Sequence, residues 1–195
     1  MAATMKVYFD WGGSDGSPGT AHNVTDNGQN KIRMKTSDDD VIDANNPIPV
    51  PDGDFTNNSF WKHVYLQCTD DAGLTQIDNV KFFTDGSGFG EGIVLNVGDG
   101  EQVKNSGSDA GYILAVGTTG ETGSILTEHG NVSAISDAFD YTSANPRDVT
   151  ISEEGNIIDS TDETTDYLVL QLAVSSSASS GTLTSETMTY RYDEI

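Results

Sequence analysis

The stretch Tyr167-Leu168-Val169-Leu170-Gln171-Leu172-Ala173-Val174 is almost continuously apolar. Such a run is expected of a central strand that is buried on both faces or lies against a neighbouring subunit. A second stretch, Lys62 to Thr69, alternates instead, with Val64, Leu66 and Cys68 on one face and His63, Tyr65 and Gln67 on the other. Cys68 is therefore read as a small core residue rather than a reactive thiol.

Working outward, short runs of alternating polar and apolar or β-branched residues are separated by Gly, Asn, Asp, Ser and Pro. They predict further strands near Lys6 to Asp10, Lys31 to Thr36, Gln76 to Thr84, Gly92 to Val97, Gly111 to Val116 and Thr182 to Tyr192. The last places Thr184, Glu186, Met188, Tyr190 and Tyr192 on one side, and Ser185, Thr187, Thr189 and Arg191 on a wet one. Weak helical spacing through Val132, Ile135 and Phe139 predicts one short helix within Leu126 to Phe139. The expected fold is all-β: an antiparallel β-sandwich, jelly-roll or Ig-like, with long loops and at most that one helix. Residues 1–195 read as a single elaborated domain without internal repeats, the composition shift near Gly117 to Gly123 marking at most an insertion. Asp10 to Asn30 is a glycine-rich excursion, expected to be mobile or held by a partner, and Asn45 to Pro51 is stiffened by prolines into an extended crossing.

Charge narrows the function. Across 195 residues, 31 Asp plus Glu face 9 Lys plus Arg, a formal charge of −22. That sign opposes non-specific attraction to nucleic acid or to anionic lipid. No run approaches the ~18 apolar residues of a membrane span, and the opening Met1-Ala2-Ala3-Thr4-Met5-Lys6 lacks a leader pattern, so a soluble chain without a secretory signal is expected. A lone Cys68 leaves no internal disulfide and no cysteine cluster for metal chemistry.

The acids are mostly Asp, 22 against 9 Glu, scattered through the loops and clustered at Asp38-Asp39-Asp40, Asp70-Asp71 and Glu153-Glu154. Such a shell repels itself in dilute buffer, and molar salt, with a screening length of ~3 Å, removes most of that repulsion. High-salt adaptation is the leading account. Calcium is the rival, yet Asp38-Asp39-Asp40-Val41-Ile42-Asp43 departs from the EF-hand pattern at position 5 and lacks its glycine. No cofactor is expected, incidental calcium or other cations staying compatible, and the metal assignment is left open.

Catalytic motifs find little support. Gly12-Gly13-Ser14-Asp15-Gly16 matches G-x-S-x-G, but Ser17-Pro18-Gly19 follows where the hydrolase elbow needs a helix. The run Gly86 to Gly92 fits neither dinucleotide nor Walker spacing. His22, His63 and His129 lie far apart in sequence with no second ligand nearby. No catalytic or cofactor-binding residue is assigned, and a hydrolase built from two acids ~5 to 9 Å apart ranks last. Trp11 and Trp61 could serve as a sugar-stacking platform, against which Trp61, beside Phe60, more simply closes the end of the core. Three sequons begin at Asn23, Asn57 and Asn131.

Asn57 to Thr69, then Ile77 to Gly86, and the glycine-framed Phe89 to Val97 resemble uncharacterised virion proteins encoded among structural genes of tailed viruses. Asp166 to Val174, followed by Ala178-Ser179-Ser180-Gly181, is similar to a strand-loop-strand ending of viral β-sandwich proteins. The resemblance implies a non-enzymatic virion structural protein: capsid decoration, turret, neck or tail. It would be assembled in the host cytoplasm and would pack against copies of itself and other virion proteins. The Asp-rich surface would then point to a halophilic host, a haloarchaeon. The second expectation is a carbohydrate- or cell-surface-binding module whose partner is a host surface glycan.

Overall fold

The computed structural model describes residues 2–26, 31–115 and 125–195. Its strands are β1 (Thr4–Trp11), β2 (Thr20–Asn23), β3 (Thr56–Asn58), β4 (Lys62–Asp70), β5 (Ile77–Thr84), β6 (Ile93–Gly100), β7 (Val132–Asp137), β8 (Arg147–Asp148), β9 (Leu168–Ser175) and β10 (Met188–Glu194). They form an all-β sandwich of two antiparallel sheets. The seven-stranded sheet runs β2-β1-β4-β9-β6-β7, with β3 also on β9, and the three-stranded sheet runs β10-β5-β8.

The strand that is apolar throughout lies at the centre. β9 pairs with β4 through Leu168 to Leu170, with β3 through Ala173 to Ser175, and with β6 along most of its length. One face sends Leu168, Leu170, Leu172 and Val174 into the main core with Val64, Leu66, Cys68, Leu95 and Val97, against Ile77, Val80 and Phe82 of the small sheet. On the other face Val169 packs with Trp61, Ile113, Ala115, Leu126 and Val132. The chain itself therefore buries both faces of β9.

That second covering explains one departure from expectation. Gly111 to Ala115 reads as a strand but joins no ladder: the Ile113 N–H donates to His63 Nε2 (3.2 Å), the Leu114 N–H to Asp15 Oδ1 (2.9 Å), and the Tyr112 N–H to the Asp109 carbonyl (2.8 Å). Side chains and a local turn satisfy a backbone laid across a sheet face. Val116 and the composition shift near Gly117 to Gly123 lie outside the described residues.

Lys31 to Thr36 departs similarly. Ile32 and Met34 pack against the main core, but the Thr36 N–H goes to the Asn46 carbonyl (2.9 Å) and the Lys35 carbonyl accepts from Phe60 (3.0 Å), so the segment is a strap and not a strand. β10 starts at Met188, leaving Thr182 to Thr187 outside the ladder. The helix expected within Leu126 to Phe139 is replaced by β7 between two 3-10 turns, Leu126–Glu128 and Ala138–Asp140. Pairing with β6 outweighs the weak spacing, and the Asp137 side chain caps the second turn through the Phe139 N–H (3.0 Å).

The glycine-rich excursion is a hairpin as far as residue 26, with Trp11 opposite Thr20 and Tyr8 opposite Asn23. Residues 27–30 lie outside the described residues. The proline crossing lies on the chain's own core through Ile48 and Val50, and Asn57 Nδ2 donates to the Pro49 carbonyl (2.7 Å).

Candidate functional site

Burial on both faces of the large sheet leaves polar side chains enclosed where its outer face meets the loops. Asp10, at the end of β1, is buried and accepts hydrogen bonds from the Tyr65 hydroxyl of β4 (3.2 Å) and from the Tyr167 hydroxyl. Lys104 Nζ sits 4.3 Å from the Tyr65 ring centroid and 4.9 Å from that of Tyr167, and pairs with Asp109 at 2.7 Å. His63 stacks beside Tyr112 (4.6 Å) and Tyr167 (5.2 Å), while the Tyr112 hydroxyl donates to the Gly12 carbonyl (2.6 Å).

Burial dominates the electrostatics. It raises the Asp10 carboxyl above its ordinary range, opposed by the hydrogen bonds from Tyr167 and Tyr65 and by the Lys104 charge. It also raises Tyr65 and Tyr167, and the Asp10 charge adds to this, so both hydroxyls stay protonated as donors. Burial, with help from Lys62 and His129, depresses His63 to about 3, which leaves the ring neutral with Nε2 as acceptor. In this network the Tyr65, Tyr167 and Tyr112 hydroxyls and the Lys104 ammonium each have an acceptor within the chain. Beside it a cleft of about 500 Å³ opens between two turns and is lined by Asp15, Gln102, Ser108 and Asp109.

A second enclosed cluster uses the acidic run. Lys35 is buried in the strap, its ammonium held by Asp39 Oδ1 (2.8 Å), Asp43 Oδ1 (3.1 Å) and the Val41 carbonyl (3.2 Å). Lys62 of β4 is buried completely and is held by Asp38 Oδ1 (3.2 Å) and the Asp39 carbonyl (2.7 Å). Burial pulls both lysines down. Two carboxylates more than offset it at Lys35, whose pKa rises, whereas at Lys62 burial prevails. Asp38 Oδ2 also accepts from the Gly12 N–H (2.9 Å), and Asp40 meets His22 Nδ1 at 2.9 Å. Asp38-Asp39-Asp40 thus anchors the loop through lysine ammoniums and a histidine of this chain.

The remaining sequence candidates resolve individually. Gly12 to Gly16 is a tight hairpin turn in which Ser14 and Ser17 exchange backbone bonds (2.9 and 2.8 Å). A Cβ on Gly13 would stand 2.2 Å from the Ser17 carbonyl oxygen, so the glycine serves the turn and no helix follows. Trp61 is buried, its Nε1 donating to the Ile113 carbonyl (3.0 Å), and so closes the core as expected; Trp11 is half-buried against the main core. Cys68 is buried in that core. Asn57 is buried, Asn23 is half-buried and tied to the Tyr8 hydroxyl (3.1 Å), and Asn131 is exposed. His129 stacks edge-on to Trp61 at 5.1 Å, so folding brings two distant histidines, His63 and His129, to one region. Among the described residues no three of His, Cys, Asp or Glu converge as a metal site.

Sequence reasoning missed both enclosed clusters. The available clue to the first was the aromatic and histidine content of the face of β4 opposite Val64, Leu66 and Cys68. For the second it was the spacing of Lys35 from Asp39 and Asp43. Comparison with protein-family models, with curated proteins and with solved structures finds no match.

Proposed function

We propose that this chain is a non-enzymatic structural component of a tailed-virus particle, a capsid decoration, turret, neck or tail protein that assembles with itself and with capsid or tail proteins at high salt. The resemblance of Asn57 to Thr69, Ile77 to Gly86, Phe89 to Val97, Asp166 to Val174 and Ala178 to Gly181 to virion proteins suggests the setting. The observation that carries the high-salt half is the partition of charge. Lys35, Lys62, Lys104 and Arg147 are buried, Arg147 reaching Asp99 (2.8 Å) and the Ala134 carbonyl (3.0 Å), while Lys6 and Lys81 are paired with Asp26 and Asp148. The unpaired charge left at the surface is therefore mostly carboxylate, a state that screening favours and that keeps particles dispersed in brine. Among the described residues β7 and β10 are terminal strands of their sheets, the kind of edge that shells use for lateral contacts.

Light scattering and circular dichroism from dilute to multi-molar KCl test this. Defined oligomers that fold only at high salt are expected; a monomer that stays folded at every salt concentration overturns the proposal.

A further inference from the structure

The small sheet ends on an edge whose charges complement themselves. Among the described residues β10 pairs with β5 alone. Ile195 exchanges both backbone bonds with Gln76 (3.0 and 3.2 Å). Alternation along an antiparallel strand then turns the N–H and C=O groups of Glu194, Tyr192 and Tyr190 away from β5, toward the open side. The side chains divide by face: Met188, Tyr190 and Tyr192 pack on the main core, while Arg191 and Asp193 are exposed.

Arg191 stands out in so acidic a chain. Its guanidinium lies 5.6 Å from the Phe83 ring centroid, and among the described residues it forms no ion pair. Asp193 Oδ2 accepts from Asn79 Nδ2 (2.8 Å) and has room for further donors.

We propose that β10 is a homodimer edge, pairing antiparallel with β10 of a second copy about a two-fold axis through Tyr192. The axis must stand normal to the sheet for the core faces of the two copies to coincide, which restricts the register to centring on a single residue. Centring on Arg191 opposes two arginines, and centring on Asp193 opposes two aspartates. Centring on Tyr190 sets Arg191 against Thr189. Only Tyr192 sets Arg191 of each copy against Asp193 of the other, two cross-strand pairs within reach of a guanidinium and a carboxylate. The outward backbone groups of Tyr190, Tyr192 and Glu194 complete the ladder, and the two small sheets become one six-stranded sheet.

This inference rests on the assembly reading only in requiring that copies meet, and charge exchange separates the two. At the lowest KCl concentration that keeps the fold, where exposed charges are least screened, light scattering of the full chain is expected to give a dimer or a multiple of it. Arg191→Asp alone and Asp193→Arg alone, each opposing like charges, raise the dimer dissociation constant about tenfold or more. The double variant restores it, and mixing the two single variants produces a heterodimer that neither forms alone. Both positions are exposed, and circular dichroism verifies that the fold is kept. If the single variants keep the wild-type mass, or fail to associate on mixing, the β10 interface is wrong while assembly through another surface stands. If the wild type is monomeric at every salt concentration, both proposals fall.

Discussion

Acid should destabilise this protein through His63 as the pH falls from 7 to 5. The ring is buried, its Nε2 accepts the Ile113 N–H at 3.2 Å, and it packs between Tyr112 and Tyr167. Burial holds its pKa at about 3, against 6.5 for a free histidine. A base whose folded pKa is depressed binds fewer protons in the folded state, so stability is full above the unfolded pKa. It falls as the pH drops through 6.5 and levels off below about 3. Between pH 7 and pH 5 that loss is about 2 kcal/mol, since each tenfold difference in proton affinity between folded and unfolded chain is worth ~1.4 kcal/mol. Urea denaturation at fixed high salt, followed by circular dichroism across this range, measures the loss for the wild type and for His63→Gln. The variant has an offset of its own from lost ring packing, so the comparison is between slopes: about 2 kcal/mol should disappear from the change between pH 5 and pH 7. A variant whose pH dependence matches the wild type within ~0.5 kcal/mol would refute the reasoning, as would a His63 ring titrating near 6.5 by NMR.

Asp38→Ala leaves the completely buried Lys62 ammonium, among the described residues, with the Asp39 carbonyl as its hydrogen-bond acceptor and no paired carboxylate, and should cost about 3–5 kcal/mol, whereas Lys62→Met should cost much less and should rescue Asp38→Ala. Because buried pairs are screened little, denaturation in multi-molar KCl should retain most of that cost; a loss of only ~1 kcal/mol would mean that the pair behaves as a surface one. At Gly98, where β6 and β7 change register, a Cβ would stand 2.5 Å from Val132 Cγ1 and 2.9 Å from Ile135 Cγ1. Gly98→Ala should therefore cost about 1–3 kcal/mol and lower Tm by several degrees, part of which Val132→Ala should recover; an unchanged Tm in a thermal melt would contradict the close approach.

The strand framework was legible in the sequence because it depends on local patterning. A run as apolar as Tyr167 to Val174 has few places to lie except the middle of a sandwich, and the alternation of Val64, Leu66 and Cys68 assigns their faces without knowledge of any neighbour. The acid excess and the core role of Cys68 and Trp61 were equally open to inspection. Where pairing partners decide, the sequence misled. Gly111 to Ala115 and Lys31 to Thr36 have strand-like alternation but satisfy their backbones through His63, Asp15 and Asn46. Val132 to Asp137, with weak helical spacing, is a strand because β6 offers it an edge. Tertiary structure alone decided what covers the second face of β9 and where the charges go. Lys62, Asp38 and Asp39 meet across more than twenty residues, as do Asp10, Tyr65 and Tyr167 across far more. An isolated carboxylate or ammonium gives no local sign of whether water or a buried counter-charge will surround it, because that environment exists only once the sheets have closed.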